Sequence, residues 1–255
     1  MSFLVVNNIT MQFGGLLAVD DLSMHVDQGE IVSLIGPNGA GKTTVFNMLT
    51  GVYEITGGEM LFEDKPITKL TPQEIVDLGI SRTFQNLRLF PNMRVIENVL
   101  VGTHIRTKYN FFDGLLRTPR FRREEAEHTV KAIEILKDIG LDNVRDSYAN
   151  SLPYGEQRKV EIARAIATDA KLLLLDEPAA GMNPSETEEL MKFINELRDK
   201  GYTILLIEHD MSVVMNISDR IYVLDHGRLI AEGLPEEIAN DPKVIEAYLG
   251  GEMNA

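Results

Sequence analysis

The chain has 255 residues, with 25 Lys and Arg against 39 Asp and Glu, so its formal net charge is −14. A net negative field repels phosphodiester backbones and argues against general nucleic-acid binding. The chain has no cysteine, which excludes disulfides, cysteine zinc sites and thiol chemistry. With 44% hydrophobic and 25% charged residues, the composition is that of a globular protein.

The sequence shows no sign of a membrane or secretory segment. No apolar run approaches the roughly 20 residues that span a bilayer. The N-terminal stretch MSFLVVNNIT lacks the basic region of a secretory signal. We therefore expect a cytoplasmic protein that reaches a membrane only through a partner.

Strand and helix patterns alternate from the N-terminus onward. Residues 3–35 alternate in polarity and end in EIVSLIG, which predicts a buried strand before a glycine-rich turn. Apolar spacing then predicts a short helix after Lys42, a strand at 59–63, and a helix over 124–139 that ends at Gly140.

The second half of the chain returns to strands. Apolar runs predict strands at 171–177, 202–209 and 220–233, the last as a hairpin with an Asp-His-Gly turn. Between the first two, Asn183 ahead of a proline and Glu186 predicts a capped amphipathic helix. Strands alternating with helices predict an α/β fold whose mainly parallel sheet is covered on both faces, with the helix-rich middle as an insertion.

Residues 36–43, GPNGAGKT, satisfy the pattern G-x-x-x-x-G-K-[ST] between a predicted strand and a predicted helix. The glycines let backbone N–H groups turn inward around an anion, and the helix N-terminus adds its positive dipole end. Lys42 supplies a charge for the β- and γ-phosphates, and the Thr43 hydroxyl is a candidate magnesium ligand. An ordinary glycine-rich turn is the alternative. The candidate nucleotide-binding residues here are Gly36, Asn38, Gly39, Ala40, Gly41, Lys42, Thr43 and Thr44.

Two carboxylates follow the apolar run KLLLL of the 171–177 strand. Strand ends in open α/β sheets are where ligands sit. We expect Asp176 to hold magnesium through water, and Glu177 to polarise the attacking water. An apolar strand ending in acid is common by itself, but beside a phosphate loop it predicts a nucleoside triphosphate hydrolase.

Further short motifs accompany the phosphate loop. Phe13 lies 29 residues before the loop lysine, and Gln85 lies in RTFQNLRLF. The stretch LPYGEQ at 152–157 starts a predicted helix, AAGMN occupies 179–183, and His209 closes the strand YTILLIEH. In this order and spacing the motifs resemble those of the ATP-binding cassette (ABC) family, and the resemblance covers nearly the whole chain.

The resemblance implies a role for each motif residue. Phe13 would stack on adenine, Gln85 would contact magnesium and link the nucleotide to a helical subdomain, and His209 would bond the γ-phosphate. Glu177 would be the catalytic base, with Lys42 and Gln85 beside it. Each residue taken singly also has a structural interpretation. Phe13 could pack in the core, and Gln85 could be a solvated loop amide. His209 could be a core or turn histidine whose hydrogen bonds are satisfied within the fold.

Two motifs depart from the family pattern: the signature motif, here LPYGEQ at 152–157, and the segment AAGMN at 179–183. Pro153 stands where LSGGQ has its serine, which removes a hydroxyl, while Gly155 and Glu156 keep their positions. Through them the resemblance implies contact with a nucleotide bound to a second chain. In the segment 179–183, Asn183 stands where the family commonly has an aspartate. The asparagine keeps a hydrogen-bond acceptor but removes a negative charge.

The fold implied is a P-loop NTPase (RecA-like) with a mainly parallel core sheet, an antiparallel β subdomain and an inserted helical subdomain. We place residues 1–84 and 166–255 in the nucleotide-binding core and 85–165 in the helical subdomain. The implied cofactors are ATP and Mg²⁺, sandwiched between two cassettes in a homodimer or in a heterodimer with a paralogous ABC ATPase.

In finer detail, RTFQNLRLF, GLLRTPRFRREE, LPYGEQRKVEIARA and DEPAAGMNP resemble the larger ATP-binding subunit of branched-chain amino acid importers. This implies membrane permease subunits as partners, an extracytoplasmic binding protein reached only indirectly, and a place on the cytoplasmic face of the cell membrane. The alternatives are the ATPase of a lipid or lipopolysaccharide exporter, and a soluble ABC protein acting on DNA or ribosomes.

One segment interrupts the acidity of the chain. Between residues 106 and 123, six basic residues and one acid give a balance of +5, interleaved with aromatic residues. A solvated surface hairpin, contact with permease loops or anionic lipid, and nucleic-acid binding are the three interpretations. The basic residues are Arg106, Lys108, Arg117, Arg120, Arg122 and Arg123.

Overall fold

A computed structural model describes residues 2–107 and 109–252. The strands, in chain order, are β1 (Ser2–Phe13), β2 (Leu16–Asp27), β3 (Ile31–Ile35), β4 (Gly57–Phe62), β5 (Lys65–Pro66), β6 (Ile80–Arg82), β7 (Leu172–Asp176), β8 (Thr203–Ile207), β9 (Arg220–Asp225) and β10 (Arg228–Gly233). The helices are α1 (Lys42–Leu49), α2 (Pro72–Leu78), α3 (Val95–Thr103), α4 (Phe111–Leu116), α5 (Pro119–Asp138), α6 (Tyr154–Ile166), α7 (Pro184–Asp199), α8 (Met211–Ile217), α9 (Pro235–Ala239) and α10 (Pro242–Glu252).

The strands form two sheets. The larger has six strands in the order β10-β9-β3-β8-β7-β6, parallel throughout except for the β9–β10 hairpin. Every residue of β3, β7 and β8 is buried, as expected for a parallel sheet covered on both faces. The smaller sheet is antiparallel, in the order β2-β1-β4-β5. The predicted α/β fold, with its parallel core sheet and antiparallel part, is confirmed.

Two large apolar cores lie on opposite faces of the six-stranded sheet. One packs α1, through Phe46 and Leu49, between that sheet and the antiparallel sheet. The other packs α3, α5, α6 and α7 against the opposite face, with Val99, Leu136 and Phe193 among its buried residues. The first core positions α1 and therefore the loop that precedes it.

The helices α3 to α6 lie between β6 and β7 in the chain, in the region predicted to be helix-rich. The helix predicted at 124–139 begins earlier, at Pro119, because the Thr118 hydroxyl caps it by accepting from the Phe121 N–H. The first turn of α5 is charged and has no apolar residues at helical spacing. The spacing of apolar residues therefore did not predict this turn. Among the described residues, no helix combines the length and hydrophobicity that crossing a membrane requires.

The predicted cap at Asn183 is confirmed. Its side chain accepts from the Glu186 N–H at 3.0 Å, and the Glu186 carboxylate accepts from the Asn183 N–H at 3.0 Å. This reciprocal pair satisfies donors that α7 would otherwise leave open. It fixes where α7 starts, just after residues 179–183.

Candidate nucleotide-binding site

The loop between β3 and α1 is packed too closely for side chains at two of its glycines. Gly36 has φ +147°, and a Cβ there would lie 2.0 Å from the carbonyl oxygen of Leu224. Gly41 has φ +103°, and a Cβ there would lie 2.7 Å from the carbonyl oxygen of Ala18. The loop is therefore fixed against β9 and β2, with α1 starting immediately after it.

Lys42 is the first residue of α1, and its ammonium group folds back over the loop. Its Nζ donates to the carbonyl oxygens of Gly36, at 2.6 Å, and Pro37, at 3.0 Å. Burial lowers the pKa of the Lys42 amine from its ordinary value, while the nearby carboxylates of Glu177 and Asp176 oppose that shift. The amine thus lies where the loop would enclose a phosphate.

A cavity of about 470 Å³ opens in front of the loop. Phe13 lies at its wall, 41% exposed, with its ring 5.2 Å from Tyr53 in an edge-to-face contact. An exposed ring beside a phosphate loop is available for stacking on a base. Leu16, Leu17, Ala18 and His226 also line the cavity, and the sequence had not singled them out. The predicted residues on the wall are Phe13, Asn38, Gly39, Ala40, Gly41, Lys42, Thr43, Thr44 and Glu177.

Glu177 follows β7 in a left-handed conformation with φ +46°. Its N–H donates to the Ile207 carbonyl of β8 at 2.9 Å, which holds this turn in place. The Gln85 amide Nε2 donates to the Glu177 Oε2 at 2.6 Å, and the His209 Nδ1 lies 3.6 Å from the same oxygen. Three residues predicted from separate motifs therefore meet at one carboxylate.

Asp176 has a partner that sequence analysis missed. The Arg82 Nη2 donates to the Asp176 Oδ2 at 2.6 Å, and both side chains are more than 90% buried. The Arg82 Nη1 donates to the Asn47 side-chain oxygen of α1 at 2.6 Å. Arg82 thus links α1 to the end of β7. A basic residue ending the strand just before Gln85 was the available signal.

Glu208 is another residue that the sequence analysis did not single out. Its side chain is 1% exposed, and its carboxylate accepts from the backbone N–H groups of Ala179, at 2.9 Å, and His209, at 3.1 Å. Burial raises the pKa of Glu208 above its ordinary value, although those bonds oppose the shift. Glu208 therefore connects the start of the 179–183 segment to the histidine.

The helix α6 holds the backbone on either side of the Gln85 side chain. Arg158, whose side chain is 0% exposed, donates to the carbonyl oxygens of Phe84, at 2.8 Å, and Gln85, at 2.9 Å. The same guanidinium pairs with Glu161 at 2.7 Å. The position of Gln85 is therefore set by a helix that starts at the signature motif.

The signature residues lie away from the phosphate loop. Gly155 and Glu156 belong to the first turn of α6, and Pro153 precedes it without a side-chain cap bond. A Cβ at Gly155 would lie 3.8 Å from the Glu186 side chain, beside the start of α7. Neither Gly155 nor Glu156 lines the cavity. Their contact with a nucleotide stays a prediction that needs a second chain.

The oxygen groups at the site fit magnesium held jointly with phosphates. Thr43 is exposed on the cavity wall at the N-terminus of α1, and the Asp176 carboxylate ends β7. Hydroxyl, carboxylate and phosphate oxygens are ligands that Mg²⁺ takes. Within residues 2–107 and 109–252, no group of three or more acidic or histidine side chains is placed to hold a metal unaided.

Three of the basic residues between 106 and 123 are paired with acids. Arg120 lies 3.1 Å from Glu124, and Arg123 lies 3.8 Å from Glu127, both acids just beyond the window that gave +5. Arg106 lies 3.7 Å from Asp77 and 3.6 Å from Asp169. Lys108 lies outside the described residues. The segment is therefore less basic at its surface than its sequence suggested.

The family described as "ABC transporter" matches residues 19–180, more than half of the chain. The chain belongs to the ABC transporter family. A second family, described as "Branched-chain amino acid ATP-binding cassette transporter", matches residues 228–253 of the cassette.

Curated relatives match the cassette over almost its full length. It is 54% identical to the high-affinity branched-chain amino acid transport ATP-binding protein LivG of Salmonella typhimurium, over 97% of both chains. It is 49% identical to the corresponding protein BraF of Pseudomonas aeruginosa, again over 97% of both. It is 40% identical to a probable LivG of Archaeoglobus fulgidus, over 99% of the cassette and 97% of that protein.

Solved structures show the same fold. A nucleotide-free ATP-binding cassette from an ABC transporter matches with a TM-score of 0.85 and 38% identity, over 97% of the cassette and 99% of that chain. An ATP-binding cassette in its ADP conformation matches with a TM-score of 0.86 and 37% identity, over 98% and 99%. The cassette is therefore an ATPase of the ABC transporter type.

Proposed function

We propose that the cassette hydrolyses ATP to drive an importer of branched-chain amino acids. The observation that carries the catalytic part is the meeting of Gln85, His209 and Glu177 at one carboxylate, with Glu177 lining the same cavity as the phosphate loop. The substrate class is supported by the names of relatives such as LivG and BraF.

In the proposed mechanism, the backbone N–H groups of the phosphate loop and the Lys42 ammonium bind the phosphates, while Phe13 stacks on adenine. Glu177 accepts the proton of the attacking water, and Gln85 and His209 orient its carboxylate. Thr43 and Asp176 would hold Mg²⁺, which supplies positive charge to the phosphate oxygens. The His209 side chain is 57% exposed, so a γ-phosphate can reach it.

The separation of Gly155 and Glu156 from the cavity supports a dimer as the working form. We propose that two cassettes pair about a two-fold axis, so that the signature residues of one complete the nucleotide site of the other. The second cassette is a further copy of this chain or a paralogous ABC ATPase. Magnesium-bound ATP is the ligand that joins them.

A mainly apolar cleft of about 370 Å³ supports contact with membrane permease subunits. It lies between β6 and the helices α3 and α6, with Val52, Phe84 and Val101 exposed at its rim. Exposed apolar surface of this kind marks interaction sites. We propose that a cytoplasmic segment of the permease binds there.

We propose that the cassette is a peripheral subunit on the cytoplasmic face of the cell membrane. An extracytoplasmic binding protein would then influence it only through the permease, and nucleic acid has no part in the cycle. The relatives named as branched-chain amino acid transport proteins, LivG and BraF, favour a transport role over action on DNA or ribosomes.

Reconstitution with the permease subunits in lipid vesicles tests the proposal. We expect ATP inside the compartment that holds the cassette to drive leucine uptake when the matching binding protein is present outside. A vesicle preparation that hydrolyses ATP but transports no branched-chain amino acid would contradict the substrate class. A preparation that hydrolyses no ATP would contradict the catalytic part.

A further inference from the structure

Arg82 joins the proposed permease cleft to the predicted magnesium ligand. It ends β6 at the edge of the six-stranded sheet, where its guanidinium bonds Asp176 and Asn47, both at 2.6 Å. Arg82 and Phe84 also belong to the wall of the cleft. One side chain therefore extends from the cleft to the carboxylate at the end of β7.

The guanidinium is held between two aromatic rings. Its Cζ lies 5.4 Å from the ring centre of Phe46 in α1 and 5.4 Å from that of Phe84. The Phe84 ring is 36% exposed, so a molecule in the cleft can press on it. Displacing Phe84 would remove one wall of the space that Arg82 occupies.

The position of Arg82 leaves one of its donors unsatisfied. Its Nε is buried and has no hydrogen-bond partner among the described residues. A buried donor without a partner carries a desolvation cost that is not repaid. The two bonds to Asp176 and Asn47 hold Arg82 in place. The unpaired Nε nevertheless raises the free energy of this arrangement above that of a fully hydrogen-bonded guanidinium.

We propose that Arg82 is a positioning residue that competes with Mg²⁺ for Asp176, and that a permease segment bound in the cleft moves it away. A positive charge against a carboxylate reduces the affinity of that carboxylate for a second cation. Binding of the permease segment in the cleft and binding of Mg²⁺ at the nucleotide site then strengthen each other, because each is more favourable when Arg82 is withdrawn from Asp176. The identity of the cleft's occupant rests on the proposed function.

The isolated full-length chain tests the competition without any turnover. The measurement is the magnesium gain, meaning the affinity for a non-hydrolysable ATP analogue at saturating Mg²⁺ divided by that in EDTA. We expect Arg82→Met to raise this gain about tenfold, because Asp176 loses its neighbouring positive charge. Arg82→Lys keeps the charge and should stay close to the wild-type value.

Arg164→Met is the matched control, since Arg164 lines the same cleft but donates to the Arg88 carbonyl instead of Asp176. Its magnesium gain should equal that of the wild type. If Arg82→Met does not fold, Asn47→Ala removes the other anchor of the guanidinium and should raise the gain by a smaller factor. An unchanged gain in the folded Arg82→Met or Asn47→Ala protein overturns the competition.

The link to the cleft is tested with the permease complex in nanodiscs. We expect the wild-type magnesium gain to increase on complex formation, and that of Arg82→Met to be already high and unchanged. A wild-type gain that is the same in the free and the complexed cassette overturns the link. ATP hydrolysis by this complex, and leucine uptake after its reconstitution in sealed lipid vesicles, report separately on the proposed function.

Discussion

Arg158 and Glu161 form a 2.7 Å ion pair in α6 from which solvent is almost entirely excluded. The same guanidinium holds the backbone carbonyls of Phe84 and Gln85, and the Gln85 amide reaches Glu177. A chain of bonded groups therefore runs from the helix after the signature motif to the proposed catalytic base. The geometry of that base depends on helix packing as well as on the strand that carries it.

Removing one partner of this pair should be strongly destabilising. Arg158→Met leaves the Glu161 carboxylate buried without its counter-charge, which costs about 3–5 kcal/mol in the free energy of unfolding. Arg158→Met combined with Glu161→Met should recover part of that loss, because no charge remains buried. Urea denaturation measures both variants.

Arg123→Met is the control for this prediction. Arg123 pairs with Glu127 at 3.8 Å on the surface of α5, and both side chains are well exposed. An exposed pair contributes about 0–1 kcal/mol. Equal losses in Arg123→Met and Arg158→Met would show that burial of the Arg158 pair has no special weight.

Glu208 should make the stability of the fold depend on pH. Burial raises its pKa above the ordinary 4.5, so the folded protein binds this proton more tightly than the unfolded chain does. The associated stability is present below about pH 4.5 and is lost as pH rises through the folded-state pKa. Relative to wild type, Glu208→Gln should therefore gain stability as pH rises across that window, as measured by urea denaturation at a series of pH values.

Glu188→Gln provides a control of opposite sign. Glu188 is exposed on α7, and its bond with Lys192 lowers the pKa of its carboxyl. The Glu188→Gln protein should lose stability relative to wild type as pH rises through the range in which that carboxyl ionises. If Glu208→Gln shows the same sign as Glu188→Gln, the account of Glu208 is wrong.

The strands and the phosphate loop could be predicted because local patterns determine them. The run IVSLI before Gly36, with four apolar residues among five, specifies a buried parallel strand, and the spacing up to Lys42 specifies the loop. The cap at Asn183 is likewise written in adjacent residues. Each of these features depends on atoms only a few residues apart.

Long-range partners could not be predicted in the same way. Arg82 and Asp176 are 94 positions apart and meet only because β6 and β7 are neighbours in the sheet. Arg158 reaches Gln85 across 73 positions. The acids that offset the basic segment are close in sequence, but only the α5 helix places Glu124 and Glu127 one turn beyond Arg120 and Arg123.

Lys42→Ala should lose affinity for ATP. The Lys42 ammonium is buried in the phosphate loop, where it bonds the Gly36 and Pro37 carbonyls, so its loss removes positive charge from the place proposed for the phosphates. Calorimetry should show that the affinity for ATP falls at least about tenfold, because each hydrogen bond to a charged group contributes about 1.5–3 kcal/mol. Lys65→Ala, on exposed β5, is the control and should bind ATP as the wild type does. Unchanged affinity in Lys42→Ala would refute the role given to the loop.

The most direct test of the catalytic account is the Glu177→Gln protein, assayed for steady-state ATP turnover and for dimer formation in the presence of Mg²⁺ and ATP. The amide keeps the size of the side chain but cannot accept the water proton, so we expect ATP binding to survive, a closed dimer to accumulate on size-exclusion chromatography, and turnover to fall about a hundredfold or more. Turnover within a few-fold of the wild type would contradict the assignment of Glu177 as the base.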